Sequence, residues 1–449
     1  VKHLDDCRAR RRREEADGDP TGSRRAPRDR PSGAGAPWNP GAGFANAALA
    51  FRGYDATNYG RGAELVAHPV HGPIARRWLT RASAACAAAI GEPVDLAARL
   101  ADGRPTSLDQ FPEDVATIIA LELSQLEALE HVAGADPRAA RLSIGYSVGE
   151  LAALAYGGTF DIESILEVPL ALARDCAGLA EGSTLAVVFA RGAELEPEAL
   201  ETLCRAVASE GRGLIGPSAY LSPNSALVIG EGETIARLEA RVGEFLPEGA
   251  AVRRKEHRWP PLHSPLVWRK HIPTRAALMA YGLPGGDRAP TPPVVSCVTG
   301  EASYDDTNVR DTLVRWTDQP QKLWDVIDAT LASGVSTVVH VGPAPNLIPA
   351  TFARLANNVR RQVGGVGLDL WGPGVVSGLN RHSWLGRMLP SRANLLRAPF
   401  LRQVVLEDWL LDGPAGTRAI VGFAGASPGA VGPVTIAADP TATPAPAAP

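Results

Sequence analysis

The stretch Leu142-Ser143-Ile144-Gly145-Tyr146-Ser147-Val148-Gly149-Glu150, running straight into the Ala-rich Leu151–Ala155, constrains the fold more than any other part of the chain. An apolar lead-in, then Gly-x-Ser-x-Gly, then good helix formers read as strand, tight turn and helix, the nucleophile elbow. A serine held on so sharp a turn leaves no room for side chains two residues to either side, so small residues are required at Gly145 and Gly149. The turn lifts the Ser147 hydroxyl clear of the backbone. The helix that follows aims its free N–H groups and positive dipole end at any oxyanion formed there, an arrangement suited to acyl transfer.

The 449 residues, 45% of them hydrophobic, are enough for two or three structural units around a large core. A net charge of -4 leaves no electrostatic footprint for nucleic acid, and no apolar run has the length of a membrane span. Cys7, Cys86, Cys176, Cys204 and Cys297 are odd in number and scattered, which fits neither a disulfide framework nor a metal cluster. A reducing cytoplasm is the expected setting. The Arg-rich run from Arg8 to Arg13 is followed at once by Glu14, Glu15, Asp17 and Asp19, and residues 1–43 are expected to be disordered, as is the Ala/Pro-rich tail 424–449.

Ordered sequence is expected from Ala47, with a short buried strand Ala48-Leu49-Ala50-Phe51 and helices over His71–Ile90 and Pro112–Val132 before the strand that delivers the elbow. This alternation predicts a mostly parallel sheet covered on both faces. Between Ser183 and His257 the pattern changes. A strand at Thr184–Arg191, a helix at Glu196–Glu210, strands at Leu214–Leu221 and Ala226–Gly230, a helix at Thr234–Phe245 and an extended Ala250–Lys255 give βαββαβ, the order of a ferredoxin-like domain. The expected organisation is therefore a large α/β part in two pieces, 44–182 and 258–362, an inserted small subdomain at 183–257, and an appendage at 363–423. Helical spacing over Asn380–Leu411 is the one reading the appendage offers. The cleft between the two folded parts is the expected ligand site.

Five collinear segments carry a resemblance to a known family. Phe51-Arg52-Gly53-Tyr54-Asp55 with Tyr59-Gly60-Arg61-Gly62, the elbow Gly-Tyr-Ser-Val-Gly-Glu, Trp259-Pro260-Pro261-Leu262-His263-Ser264-Pro265-Leu266, Val294–Glu301 and Val338–Pro343 resemble the motifs of malonyl-CoA:acyl-carrier-protein transacylases and polyketide synthase acyltransferase domains, over roughly residues 47–360. The resemblance implies an α/β-hydrolase-like parallel-sheet core with an inserted ferredoxin-like subdomain. It also implies Ser147 as nucleophile, His263 as its base, the backbone N–H groups of Val148 and Tyr54 as the oxyanion hole, and the main-chain carbonyl of Trp316 as the group orienting His263.

What the resemblance implies for substrates is a CoA thioester donor and the phosphopantetheine thiol of an acyl carrier protein as acceptor, with no bound cofactor, no metal, no nucleic acid and no membrane. Arg174 is the candidate for pairing with a malonyl carboxylate, a bidentate task suited to Arg, although it lies two residues later than the family pattern expects, and Pro169 interrupts the segment. Further departures are Tyr54 at the family's Gln, Asp55 at its second Gly, Glu113 or Asp114 at the Gln before the second helix, and Leu221 at an Asn. His340 is read as a strand cap and Glu150 as a structural partner of the elbow helix. A serine esterase or thioesterase, and a scaffold that has lost the chemistry, are the alternatives that stay open.

Overall fold

The computed structural model describes residues 38–54, 59–104, 106–191, 193–344, 347–364 and 393–413. Most of the expected leader, the whole of the expected tail, much of the appendage and Asp55 lie outside the described residues. Among those described, the strands are β1 (Ala47–Phe51), β2 (Leu142–Gly145), β3 (Ser183–Ala190), β4 (Ile215–Ser222), β5 (Ser225–Glu231), β6 (Ala250–Arg254), β7 (Val294–Val295), β8 (Thr337–Val341) and β9 (Arg402–Val405). The helices used below are α1 (Gly72–Ile90), α2 (Phe111–Ala133), α3 (Val148–Tyr156), α4 (Ile162–Ala180), α5 (Pro197–Ala208), α6 (Thr234–Phe245), α7 (Val309–Trp316), α8 (Leu323–Ala332), α9 (Leu347–Gly364) and α10 (Leu406–Asp412).

One sheet has the order β7-β2-β1-β8-β9, and every pairing in it is parallel. Ala47, Leu49 and Phe51 of β1 join the core built by α1, α2 and α4, while Ala48 and Ala50 join the core built by α8 and α9. A strand covered on both faces has no solvent side, which is why β1 reads as a continuous apolar run. The second sheet is antiparallel with the order β4-β5-β3-β6. Its βαββαβ order and strand arrangement are ferredoxin-like. Leu200, Leu203, Cys204 and Val207 of α5, together with Ile235, Leu238 and Val242 of α6, repeat at helical spacing and bury against one face of it. On the other face Leu185 and Ile229 pack on Leu266, three residues past His263.

The C-terminal segment departs from the helical spacing expected over Asn380–Leu411. Ala393–Phe400 form a 3-10 helix, but residues 402–405 form an edge strand, Thr337 pairing with Arg402 and His340 with Val405, before the chain turns helical again at Leu406. Four residues are too few for a period of 2 to be told from one of 3.6, so pairing with β8 decides. His340 accordingly lies inside β8 instead of capping it, its Nε2 facing Gln403 Oε1 at 3.1 Å. The end of the expected leader is ordered too, with Trp38 buried edge-on against Phe44 and Trp409.

Leu406, Trp409 and Leu410 of α10 bury in the main core, and Glu407 between them turns inward. Its Oε1 accepts the Arg61 N–H at 2.8 Å and its Oε2 the Ala344 N–H at 3.1 Å, so one carboxylate ties the loops after β1 and β8 to the C-terminal helix. Asp114 plays a similar part, accepting from Arg99 (2.7 Å), the Ser107 N–H (2.9 Å) and the Tyr59 hydroxyl. Truncating Glu407 leaves two half-buried N–H donors without this acceptor, at about 1 kcal/mol or more for each group. Urea titration of Glu407→Ala should therefore show a loss of about 2 kcal/mol or more, whereas Asp408→Ala, which removes a solvent-screened ion pair with Arg61, should cost under about 1 kcal/mol.

Candidate active site

The loops leaving the carboxyl ends of β1, β2, β7 and β8 converge at one end of the parallel sheet, the end at which open α/β sheets bind ligands. The elbow is built there by close approach. A Cβ on Gly145 would lie 2.2 Å from the Gly149 carbonyl carbon, and one on Gly149 would lie 2.4 Å from the Arg52 carbonyl oxygen. Neither position has room for a side chain. A Cβ on Gly53 would likewise strike the Tyr146 carbonyl at 2.6 Å, so the Arg52–Tyr54 loop lies directly against the elbow. Ser147 takes φ 53° and ψ -114°, a strained turn held by the packing around it.

Ser147 Oγ lies 2.7 Å from His263 Nε2, and His263 Nδ1 lies 2.6 Å from the carbonyl oxygen of Trp316. A carbonyl can only accept, so Nδ1 carries the proton and Nε2 offers its lone pair to the serine hydroxyl. Trp316 ends α7, where the last carbonyls have no intrahelical donor, and its oxygen is therefore free for this task. Its indole Nε1 donates to the Ser147 carbonyl at 3.0 Å, and its ring stands edge-on to His263 with centroids 5.0 Å apart. One residue thus grips both the elbow and the imidazole. His263 itself has φ 63°, and its N–H donates to Thr317 O at 2.8 Å.

Beneath the pair lies a small apolar pocket lined by Phe111 and Val115 of α2, Pro169, Leu172 and Cys176 of α4, Leu262, and Val148 and Trp316 beside the serine. The spacing 169, 172, 176 marks one face of α4, which runs unbroken through Pro169. Arg174, two residues on from Leu172, is turned by about 200°. It lies on the surface, 61% exposed, paired with Glu92 at 2.8 Å. The expectation that Arg174 reaches the cleft is thereby corrected: it lies on the outward face of α4, paired with Glu92, while Leu172 on the opposite face lines the pocket.

Glu150 is fully buried behind the elbow, accepting the Cys297 N–H at 3.0 Å and the Tyr304 hydroxyl at 2.6 Å, and burial raises its carboxyl to about 7. Tyr54 packs edge-on against Trp259 and against Phe111, one of the pocket's lining residues. Sequence reasoning missed Phe111 and Leu172 as pocket residues, although the two-residue offset of Arg174 was a usable signal for Leu172. It also missed Gln321, whose Oε1 accepts the Ser147 N–H at 3.1 Å; nothing in its neighbourhood in the chain announces that contact. Among the described residues no group of three His, Cys, Asp or Glu is placed to hold a metal ion, and no helix is long and apolar enough to cross a membrane.

A serine elbow at the end of a parallel sheet, a histidine within hydrogen-bond reach of it and an inserted ferredoxin-like sheet define the class of fold. Within that class the chain has the fold of the malonyl-CoA:acyl-carrier-protein transacylases. An acyl carrier protein S-malonyltransferase from Vibrio cholerae superposes with a TM-score of 0.54 at 20% identity, covering 67% of this chain and 90% of that one. FabD from Acinetobacter baumannii gives 0.56 at 16% identity over 83% and 99%. The malonyl-transacylase in a complex with its type II polyketide synthase acyl-carrier protein gives 0.54 at 20% identity over 68% and 92%. No protein-family model matches the sequence, and no curated protein matches it.

Burial lowers the His263 imidazole from 6.5 to about 4, against the opposing pull of the Trp316 carbonyl. The folded protein binds this proton less readily than the unfolded chain. His263 therefore contributes stability that is present above pH 6.5 and lost as pH falls toward 4. The rate of modification of Ser147, read as a pH profile, should be level from pH 7 down to about 5 and fall only below that. An acid limb centred at the ordinary histidine value of 6.5 would contradict the buried, neutral base.

Proposed function

We propose that the protein transfers an acyl group from a CoA thioester to the phosphopantetheine thiol of an acyl carrier protein through an acyl-Ser147 intermediate. The observation that carries this reading is the Ser147 Oγ to His263 Nε2 contact of 2.7 Å, with Nδ1 anchored on Trp316 O. His263 Nε2 takes the hydroxyl proton as Oγ attacks the thioester carbonyl. The C–S bond then breaks, and the departing sulfur receives that proton. In the second half the acceptor thiol gives its proton to Nε2, its sulfur attacks the acyl-serine, and Oγ leaves with the proton returned. The oxyanion is assigned to the N–H of Val148, which opens α3 and has no intrahelical acceptor, and to that of Tyr54 on the loop packed against the elbow.

The carrier-protein acceptor rests on the neighbour solved as a type II polyketide synthase acyl-carrier protein in complex with its malonyl-transacylase. The solved neighbours are named as malonyl enzymes, and their fold is the reason to test malonyl-CoA first. The pocket favours a different acyl group. With Leu172 lining it and Arg174 on the surface, α4 offers no cation for a carboxylate, and an unpaired carboxylate buried against Phe111 and Leu172 would be costly. We assign an uncharged acyl group to this pocket. The intact Ser147–His263 contact weighs against the scaffold reading, since a fold freed of chemistry has no reason to hold two strained residues in hydrogen-bond register.

Intact-protein mass spectrometry after mixing with acetyl-CoA and malonyl-CoA should show an acyl adduct on the wild type and none on Ser147→Ala; an unchanged adduct on the variant would remove the nucleophile assignment. His263→Ala should slow acylation by about 10²-fold or more, and a loss under about tenfold would place the base elsewhere. In competition, wild type should prefer acetyl-CoA. Leu172→Arg should move the ratio toward malonyl-CoA by about ten- to a hundredfold, the worth of one charge-assisted bidentate pair, while Arg174→Ala should leave it unchanged. Wild-type preference for malonyl-CoA would overturn the uncharged assignment.

A further inference from the structure

We propose that Gln321 is a positioning residue that holds nucleophile and base in register with each other and with the inserted sheet. The inference rests on the reading of Ser147 and His263 above. Gln321 is fully buried, and both ends of its amide meet the reacting pair: Oε1 is 3.1 Å from the Ser147 N–H and Nε2 is 3.3 Å from His263 Nδ1. The orientation of the amide follows from chemistry. The Ser147 N–H can only donate, so the oxygen must face it, and the NH2 must face the imidazole.

That NH2 finds no acceptor on the ring. Nδ1 has one proton, which goes to Trp316 O at the shorter distance of 2.6 Å, so the amide nitrogen stands against an N–H edge as a neutral spacer. Burial lowers the proton affinity of His263 and the Trp316 carbonyl opposes that shift, with no contribution from a charged side chain among the described residues. The ring is thus located by a carbonyl on one side and an amide on the other, with no anion to raise its basicity.

The backbone of Gln321 reaches the other way. Its N–H donates to Ser218 O at 2.9 Å and its carbonyl accepts the Tyr220 N–H at 2.8 Å, a bridge to the outer edge of β4. β4 is the edge strand of the antiparallel sheet, and its irregular pairing with β5 around Pro217–Ser222 leaves polar groups that Gln321 satisfies. The same strand holds the base a second time, through Ser218 Oγ to Leu262 O at 3.2 Å. Lys322 N, one residue on, donates to Cys297 O at 2.7 Å, fixing the segment to the loop after β7. Displacing the inserted sheet would therefore move Gln321, and with it both ends of the Ser147–His263 contact.

The test uses a fluorophosphonate probe on the full chain, because its reaction with Ser147 needs the nucleophile and base but no knowledge of the acyl donor. Gln321→Leu removes the acceptor for the Ser147 N–H and should slow labelling on the order of 10²-fold, the usual result of misplacing reacting atoms by about 1 Å, with far-UV circular dichroism unchanged. Gln321→Glu keeps that acceptor and sets an anion beside Nδ1, which should restore labelling and move the acid limb of its pH profile upward by about one unit or more. Should the Leu variant fail to fold, the Glu variant decides alone. Labelling of a folded Leu variant at the wild-type rate, or an acid limb that stays in place in the Glu variant, overturns the proposal. Absence of labelling in the wild type would instead remove the Ser147 reading, and this inference with it.

Discussion

The hydrogen bond between Ser147 Oγ and His263 Nε2 joins residues 116 positions apart, and the surrounding structure is arranged to hold its two ends still. Neither residue sits in a relaxed conformation: Ser147 has φ 53° and His263 φ 63°, a region that costs a residue with a Cβ of order 1–3 kcal/mol. The strain persists because the neighbours leave no alternative. On the serine side the strand β2, the helix α3 and the two glycines lock the turn against the carbonyls of Phe51 and Arg52. On the histidine side Thr317 O, Trp316 O and the Pro265 ring packed against Gly216 fix the loop.

Desolvation sets the chemistry of this pair. With no carboxylate beside it, His263 is kept neutral by burial, and its tautomer is set by the carbonyl at the end of α7. A neutral imidazole with a free Nε2 is the state a general base requires, and here it persists well below neutral pH. The pocket beside the pair is lined by apolar side chains of α2 and α4. On α4 the only nearby cation, Arg174, pairs with Glu92 in solvent, where such a pair contributes little. Which face of α4 turns inward therefore decides that apolar side chains and no cation of that helix line the pocket.

The C-terminal segment belongs to this framework. β9 extends the parallel sheet beside β8, and Glu407 of α10 binds the Arg61 and Ala344 N–H groups. Those loops leave the carboxyl ends of β1 and β8, the end of the sheet that carries the elbow. Residues that resemble nothing in the transacylase motifs thus brace the loops on which the candidate oxyanion donor at Tyr54 depends.

Much of this was legible in the chain itself, for local physical reasons. Gly145 and Gly149 around Ser147 announce a turn that no side chain fits, the all-apolar Ala47–Phe51 announces a strand covered on both faces, and the helical spacing at 200, 203, 204 and 207 announces α5. The four-residue β9 was not legible, because so short a segment carries no period and its pairing with β8 is a long-range choice. Arg174 could be placed on a helix, but only the unbroken course of α4 through Pro169 decided that it faces solvent and Leu172 the pocket. Gln321 lay beyond sequence reasoning altogether, since its contacts are with residues 174 and 58 positions away. The sequence by itself determined the elbow with its serine and the strand and helix order, because those rest on local sterics and periodicity; the candidate histidine came from the resemblance of its Leu-His-Ser-Pro-Leu context to the family's motif. The pocket's charge, the histidine's proton and the bracing of the site were decided only by tertiary structure, because burial and hydrogen bonding between distant segments exist only once the chain has folded.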